Sequence, residues 1–199
     1  MPGAPPTDPR ASFDRVVVAG GHMVDRPDRP APRFPAGSEG TVTSAIGSTL
    51  DRWVTGRGTL IVCGGARGAD IIAAEQGLAR GADAWLLIAI PEADHLAGSV
   101  ELPGTDWADR YRNLRRRCPT WFQDDELPPL QPGEDPFERN NEWSLRVGIA
   151  QAPPHQLFVL AVWDGAGADG PGGTSHLLER ARAAGATVET IHPRTGTAS

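Results

Sequence analysis

Short apolar segments alternate with longer amphipathic stretches along almost the whole chain, and most of the apolar segments end at glycine or proline. The apolar segments lie at 15–19, 59–63, 84–90, 156–163 and 187–191. Runs of this length predict strands that are buried on both faces, as in parallel sheets. The intervening stretches have helical spacing at 38–54, 69–80, 105–117, 137–151 and 171–184, whereas the acidic, proline-rich residues 119–136 fit no element. This alternation predicts the α/β class, with a Rossmann-like, doubly wound, mostly parallel sheet of about five or more strands and helices on both faces.

The length of 199 residues fits a single domain. We expect a disordered tail at 1–12, the domain at 13–193 and a second tail at 194–199. The first residues lack the apolar core of a signal peptide, and no stretch approaches the roughly 20 apolar residues of a membrane span. A cytoplasmic protein with no membrane partner is therefore expected.

Charge and composition restrict the classes of ligand. The formal net charge is −6, which argues against a general nucleic-acid binder, so no nucleic-acid partner is expected. The five histidines have no metal-ligand spacing, so no metal site is expected. The two cysteines are too few for a disulfide framework.

Glycine-rich and polar residues follow the predicted strands, and in a parallel sheet these positions lie at one edge, where ligands bind. The candidate ligand-binding residues on this edge are Gly20, Gly21, His22, Asp25, Gly64, Gly65, Arg67, Gly68, Asp70, Glu92, Asp164, Gly172, Gly173 and Thr174. Asn140 joins them from the polar FERNNEW segment at 137–143, whose alternative interpretation is an ordinary helix start with surface polar residues. His22 and Asp25 are candidates for acid–base groups or sugar partners, and a structural role for the histidine is the alternative.

The CGGARGAD segment at 63–70 is the most informative of these. A glycine-rich turn between a strand and a helix lets backbone N–H groups approach a phosphate, and Arg67 adds a guanidinium. The GPGGT segment at 170–174 has the same character before the last helix. For both, a tight structural turn is the alternative. Neither segment is a P-loop or a GxGxxG fingerprint, which disfavours kinase-like NTP hydrolysis and ordinary dinucleotide dehydrogenase chemistry.

The CGGARGAD turn, the AEQGLARG helix and the GPGGT segment together resemble the SLOG superfamily over residues 13–193. This Rossmann-like clan includes the LOG phosphoribohydrolases, DprA, molybdenum-cofactor carrier proteins and nucleotide-ligand sensor modules. The LOG motif PGGxGTxxE implies that Glu179 and Arg139 form a catalytic pair, although Ser175 and His176 replace its internal Gly-Thr. Sensor-type members imply that the insertion after the first strand, with His22, Asp25, Arg29 and Arg33, closes over a ligand.

Three functions remain open on the sequence. The first is a sensor or carrier module that binds a nucleotide or nucleotide-derived phosphate ligand and needs no other cofactor. The second is a LOG-like N-glycosidase that cleaves a nucleoside monophosphate into base and ribose phosphate. From spacing alone, however, Glu179 is better interpreted as a solvated carboxylate. The third is an oligomerising interaction protein, which the six tryptophans suggest. A homo-oligomer is expected.

Overall fold

The computed structural model describes residues 13–167 and 173–199. Six strands form one sheet in which every pairing is parallel. The strands are β1 (Arg15–Gly21), β2 (Thr59–Cys63), β3 (Asp83–Ile88), β4 (Thr120–Phe122), β5 (Leu157–Val162) and β6 (Thr187–Ile191), and their order across the sheet is β4-β3-β2-β1-β5-β6. The predicted α/β, doubly wound fold class is confirmed.

Seven α-helices connect the strands within the described residues. They are α1 (Glu39–Arg52), α2 (Ala69–Ala79), α3 (Glu92–His95), α4 (Trp107–Arg117), α5 (Gln123–Glu126), α6 (Pro136–Gln151) and α7 (Thr174–Ala183). The helix α6 begins at a proline, and the Asp135 carboxylate caps it by accepting hydrogen bonds of 2.9 Å from the backbone N–H groups of Phe137 and Glu138. Such a cap satisfies N–H groups that have no partner inside the helix.

Two apolar layers cover the two faces of the sheet. On the first face, α1, α2 and α4 contribute buried side chains such as Leu50, Ile71 and Trp107. On the second face, α6 and α7 contribute others such as Trp143 and Leu178. Side chains of β1 alternate between the layers because successive residues of a strand point to opposite faces. Each apolar strand is therefore covered on both sides, as the continuous apolar runs predict.

The structure adds a strand that the sequence pattern does not predict. β4 has only three residues and lies inside the acidic, proline-rich stretch, where it pairs with β3 at the edge of the sheet. A run of three residues has no period that can be recognised. Residues 194–199, expected as a tail, instead turn back beside β6, where Ser199 and Thr190 exchange backbone hydrogen bonds of 2.8 and 2.9 Å. The expected tail at 1–12 lies outside the described residues.

The tryptophans belong to the interior. Trp85, Trp107, Trp121 and Trp143 are buried, and Trp53 and Trp163 pack against the two apolar layers. The number of tryptophans therefore gives no support to an interaction surface. Across the described ranges, no helix is both long and apolar enough to cross a membrane.

Candidate functional site

A cavity of about 740 Å³ opens at the carboxyl ends of β1 and β2. Its walls come from the end of β1, the segment 22–33, the turn before α2, one face of α6 and the start of α7. The predicted ligand-binding residues that line it are Gly20, Gly21, His22, Asp25, Gly64, Arg67, Asp70, Asn140, Gly173 and Thr174. The carboxyl edge of the sheet thus brings most of the predicted residues to one place.

The remaining predicted binding residues lie elsewhere. Gly65 and Gly68 belong to the glycine-rich turn but do not line the cavity. Asp164 does not line it either, and its carboxylate contacts the imidazole of His22. Glu92 is turned toward α4, where it accepts a 2.9 Å hydrogen bond from Arg115. Gly172 lies outside the described residues.

The two residues that the LOG motif implies as a catalytic pair do not line the cavity. Glu179 is exposed, because the buried face of α7 is formed by Leu177, Leu178 and Ala181. Arg139 donates a hydrogen bond to the carbonyl of Pro128 and lies 3.7 Å from the Glu134 carboxylate. The carry-over of the LOG pair onto this chain therefore has no support in the geometry of the site.

Asp70 occupies the centre of the glycine-rich turn. Its carboxylate accepts hydrogen bonds from the backbone N–H groups of Ala66, at 3.3 Å, and Gly64. Burial raises the pKa of Asp70 to about 7, although these two hydrogen bonds act in the opposite direction. N–H groups that the sequence suggested for a phosphate are thus engaged with a carboxylate of the chain itself.

Arg67 connects the glycine-rich turn to neighbouring segments through hydrogen bonds. Its Nε donates to the carbonyl of Val24 at 2.8 Å, and its Nη1 donates to the carbonyl of Gly98 at 3.2 Å. The side chain is buried, and burial lowers its pKa. Arg67 therefore contributes to the cavity wall while it ties together three segments around the cavity.

The same turn approaches the segment after β1 very closely. Gly68 has φ +93°, and a Cβ on it would lie 2.8 Å from both the carbonyl oxygen of His22 and the backbone nitrogen of Val24. Only glycine fits a positive φ and a backbone contact of this kind without strain. The glycine thus permits the packing of the turn, which is the structural alternative considered for this motif.

Residues 22–35, which we call the covering segment, are fastened over the cavity at both ends. Arg33 binds the Asp164 carboxylate through Nε at 2.9 Å and Nη2 at 2.8 Å, and His22 Nε2 lies 3.0 Å from the same group. These partners, Arg33 foremost, hold the pKa of Asp164 far below its ordinary value. Asp25 Oδ2 accepts the backbone N–H groups of Arg33 and Phe34, both at 2.8 Å. Asp25 therefore shapes the segment as well as lining the cavity.

One face of α6 lines the cavity with one aromatic and three polar side chains. Phe137, Asn140, Asn141 and Ser144 line it, at the i, i+3, i+4 and i+7 spacing of a helix face. Asn140 donates from Nδ2 to the carbonyl of Leu87 at 3.0 Å, and its Oδ1 is buried without a hydrogen-bond partner among the described residues. Helical spacing from Asn140 is the signal that would have added Phe137 and Ser144 to the predicted site.

The charges around the cavity are mixed. Among the described residues, four arginines line it, which are Arg26, Arg29, Arg33 and Arg67. Three aspartates of the same part of the chain line it as well, which are Asp25, Asp28 and Asp70. Because the pKa of Asp70 is near 7, the lining has a small excess of positive charge at neutral pH. Within the described part of the chain, no group of three or more histidine, cysteine or acidic side chains is placed to hold a metal ion.

Comparisons with known proteins find likenesses among solved structures. No protein-family model matches the sequence, and no curated protein matches it. One of the matching structures is that of DNA processing protein A (DprA) from Streptococcus pneumoniae, at 18% identity and a TM-score of 0.48. The match covers 91% of this chain and 51% of that one, so this chain spans about half the length of DprA. The likeness is one of fold.

The expectation that excludes a nucleic-acid partner is corrected by this match. The matched structure is that of a DNA processing protein, so a general exclusion does not stand. That exclusion relied on the net charge of −6, which is a sum over the whole chain. Such a sum does not reveal which arginines the fold brings together, such as those around the cavity.

Proposed function

We propose that this protein binds a nucleotide or a nucleotide-derived phosphate ligand in the cavity, as a sensor or carrier module. One observation carries the proposal: the covering segment supplies arginines to the same cavity to which α6 supplies amide and hydroxyl groups. Guanidinium groups suit phosphates, and amides suit the edges of bases and the hydroxyls of ribose. A ligand that has both kinds of group fits this combination.

The size of the cavity supports a ligand of this class. Pockets for organic ligands and cofactors have volumes of about 300 to 1,000 Å³, and this one has about 740 Å³. The start of α7 adds positive potential, because Gly173 and Thr174 line the cavity at the N-terminal end of a ten-residue helix.

Isothermal titration calorimetry tests the proposal. The panel contains AMP, ADP, GMP, ADP-ribose, a cyclic dinucleotide and, because the matched structure is a DNA processing protein, a single-stranded oligonucleotide. We expect a mononucleotide or dinucleotide ligand to bind, and Arg26→Ala to weaken it about tenfold through the loss of one charge-assisted contact. Arg146→Ala removes an exposed arginine of α6 that does not line the cavity and leaves the affinity unchanged. Absence of binding across the panel would contradict the proposal.

Hydrolysis of an N-glycosidic bond is a second candidate function, and Asp70 is the observation that favours it. A general acid works best when its pKa lies near the working pH, and the pKa of this cavity carboxyl is about 7. In this proposal Asp70 gives its proton to the departing base as the C1′–N bond breaks, and a water molecule adds to C1′ of the ribose and returns a proton to the Asp70 carboxylate. The protein is incubated with nucleoside monophosphates, and free base is measured by chromatography. We expect Asp70→Asn to abolish release. Loss in Glu179→Gln but not in Asp70→Asn would instead favour the assignment implied by the LOG motif.

A further inference from the structure

Two exposed apolar side chains stand at the cavity. Large hydrophobic side chains that are exposed within the described residues are Met23, Val54, Leu130, Phe137 and Ile149. Of these, Met23 and Phe137 line the cavity, and they are 39% and 43% exposed. They come from different parts of the fold, because Met23 follows β1 and Phe137 lies in the first turn of α6. Apolar surface at the entrance of a polar cavity is what an apolar part of a ligand would cover.

The backbone under Phe137 is fixed, although its ring is not buried. Pro136 precedes Phe137 in the first turn of α6. The backbone N–H of Phe137 donates a 2.9 Å hydrogen bond to the capping carboxylate of Asp135. No other aromatic ring or arginine packs on this ring among the described residues. The ring is therefore attached to a fixed backbone position and is available for contact with a ligand.

Hydrogen-bonding groups lie directly beside this ring. Asn140 and Asn141 lie one helical turn further along the face of α6 that lines the cavity, and the buried Oδ1 of Asn140 lacks a partner among the described residues. A planar heterocycle that carries donors and acceptors on its edge matches this sequence of an aromatic ring followed by amides. A sugar phosphate alone would leave the ring uncovered.

We infer that the base of the bound nucleotide stacks on Phe137, with Met23 adding apolar contact at the cavity entrance. This inference rests on the proposed function and specifies its ligand class as one that contains an aromatic base. A protein partner fits this surface less well. Two apolar side chains beside a concave cavity are far from the roughly 800 Å² that each partner of a standard protein interface buries.

Calorimetric titrations of the full chain with AMP, ADP-ribose and ribose 5-phosphate test the inference. Stacking of one base on an aromatic side chain corresponds to about fivefold in affinity or more. We therefore expect Phe137→Ala to weaken AMP and ADP-ribose by at least that factor. Ribose 5-phosphate has no base, so the wild type and Phe137→Ala should bind it equally. Phe137→Tyr keeps a stacking ring and should restore nucleotide affinity.

Ile149→Ala is the matched control, because Ile149 is an exposed apolar residue of the same helix that does not line the cavity. It should bind all three compounds as the wild type does. If the wild type binds AMP or ADP-ribose and Phe137→Ala binds it equally well, stacking on Phe137 is wrong while the proposed function stands. If the wild type binds neither these nucleotides nor the rest of the panel, the proposed function fails and the inference fails with it.

Discussion

Asp70 combines two opposite influences on one carboxyl group. It lies in the first turn of α2 and accepts backbone N–H groups, both of which favour the ionised form. Burial in the cavity wall favours the neutral form and prevails, so the pKa is raised to about 7. The motif at 63–70 predicts a glycine-rich turn before a helix, and that is what forms. The motif does not reveal that the anion held by the turn belongs to the chain itself.

The raised pKa makes the stability of the folded state depend on pH. The folded pKa lies above the ordinary value of 3.8, so between these values the folded chain binds more protons than the unfolded chain. Stability from this group is therefore lost as the pH rises toward 7. We therefore expect the free energy of unfolding of Asp70→Asn, taken relative to that of the wild type, to rise by roughly 2 to 4 kcal/mol between about pH 5 and about pH 8. The measurement is urea unfolding followed by tryptophan fluorescence.

Asp124→Asn is the control for this series, because it makes the same substitution at an exposed site on α5. Burial lowers the pKa of His95, close to the turn, to about 4, which gives a pH dependence of the opposite sign. Because His95 is present in every protein compared, its contribution cancels in the differences. A difference that stays flat for Asp70→Asn would show that this carboxyl is ionised throughout.

Gly68 provides a second prediction for a single residue. Gly68→Ala combines strain at φ +93° with a Cβ that would lie 2.8 Å from backbone atoms of the covering segment. We expect it to lower the free energy of unfolding by about 2 kcal/mol or more. Gly81→Ala separates the two causes, since Gly81 has φ +83° and no atom within 4 Å of a Cβ built on it. Urea unfolding should show a clearly smaller loss in the free energy of unfolding for Gly81→Ala than for Gly68→Ala. Equal losses would contradict the close approach of Gly68 to the covering segment.

At the scale of elements, the long apolar strands and the amphipathic helices were predictable. The three-residue β4 and the conformation of the covering segment were not, although the family resemblance implied that this insertion lies over a ligand. Strands and helices of some length have a period of two or 3.6 residues that is visible in one sequence. The conformation of the covering segment depends on contacts with distant residues, such as that of Arg33 with Asp164. Its burial of Phe34 in the first apolar layer is likewise a tertiary contact. The predicted collection of glycines at one edge of the sheet follows from topology and needed no such detail.

The hold of Asp164 on the covering segment leads to a prediction for that element. Asp164→Ala removes the acceptor of two hydrogen bonds from Arg33 and the partner of His22. We expect amide hydrogen exchange in residues 22–35 to become about tenfold faster or more, because local opening no longer breaks these contacts. Exchange in β2 should stay as in the wild type.

Asp51→Ala is the matched control, because it breaks an ion pair with Arg80 at 2.7 Å in which Asp51 is largely exposed. Exchange in residues 22–35 should not respond to it. If Asp164→Ala also leaves that exchange unchanged, the contacts with Asp164 do not hold the segment closed, and other contacts such as the burial of Phe34 do.

At the scale of the whole molecule, the distribution of charge differs from its sum. The chain has a net charge of −6. The described residues that line the cavity, by contrast, include four arginines and three aspartates, and one of these aspartates has a pKa near 7. The net charge can be counted from the sequence. The grouping of arginines around the cavity depends on the fold, which brings Arg67 beside the arginines of the covering segment. A local excess of positive charge on an acidic protein has limited reach, because salt screens it within about 10 Å.

We therefore expect the affinity for a nucleotide found by the titration panel to fall with salt, by a factor of about three or more between about 50 and about 500 mM NaCl. In Arg26→Ala the dependence should be weaker, since one cation is removed, and in Arg146→Ala it should match the wild type. Calorimetry at several salt concentrations measures it. Affinity that does not change with salt would mean that no net charge attraction contributes to binding.

The position of β1 in the sheet has a consequence for how the chain assembles. β1 pairs with β2 on one side and with β5 on the other, and β5 begins at Leu157. While the chain is being synthesised, the strands β1 to β4 can pair before β5 exists, and this partial sheet then has an apolar strand at its open edge. Exposed edges of this kind promote association with other chains. Chaperone protection during synthesis matters most until β5 covers that edge.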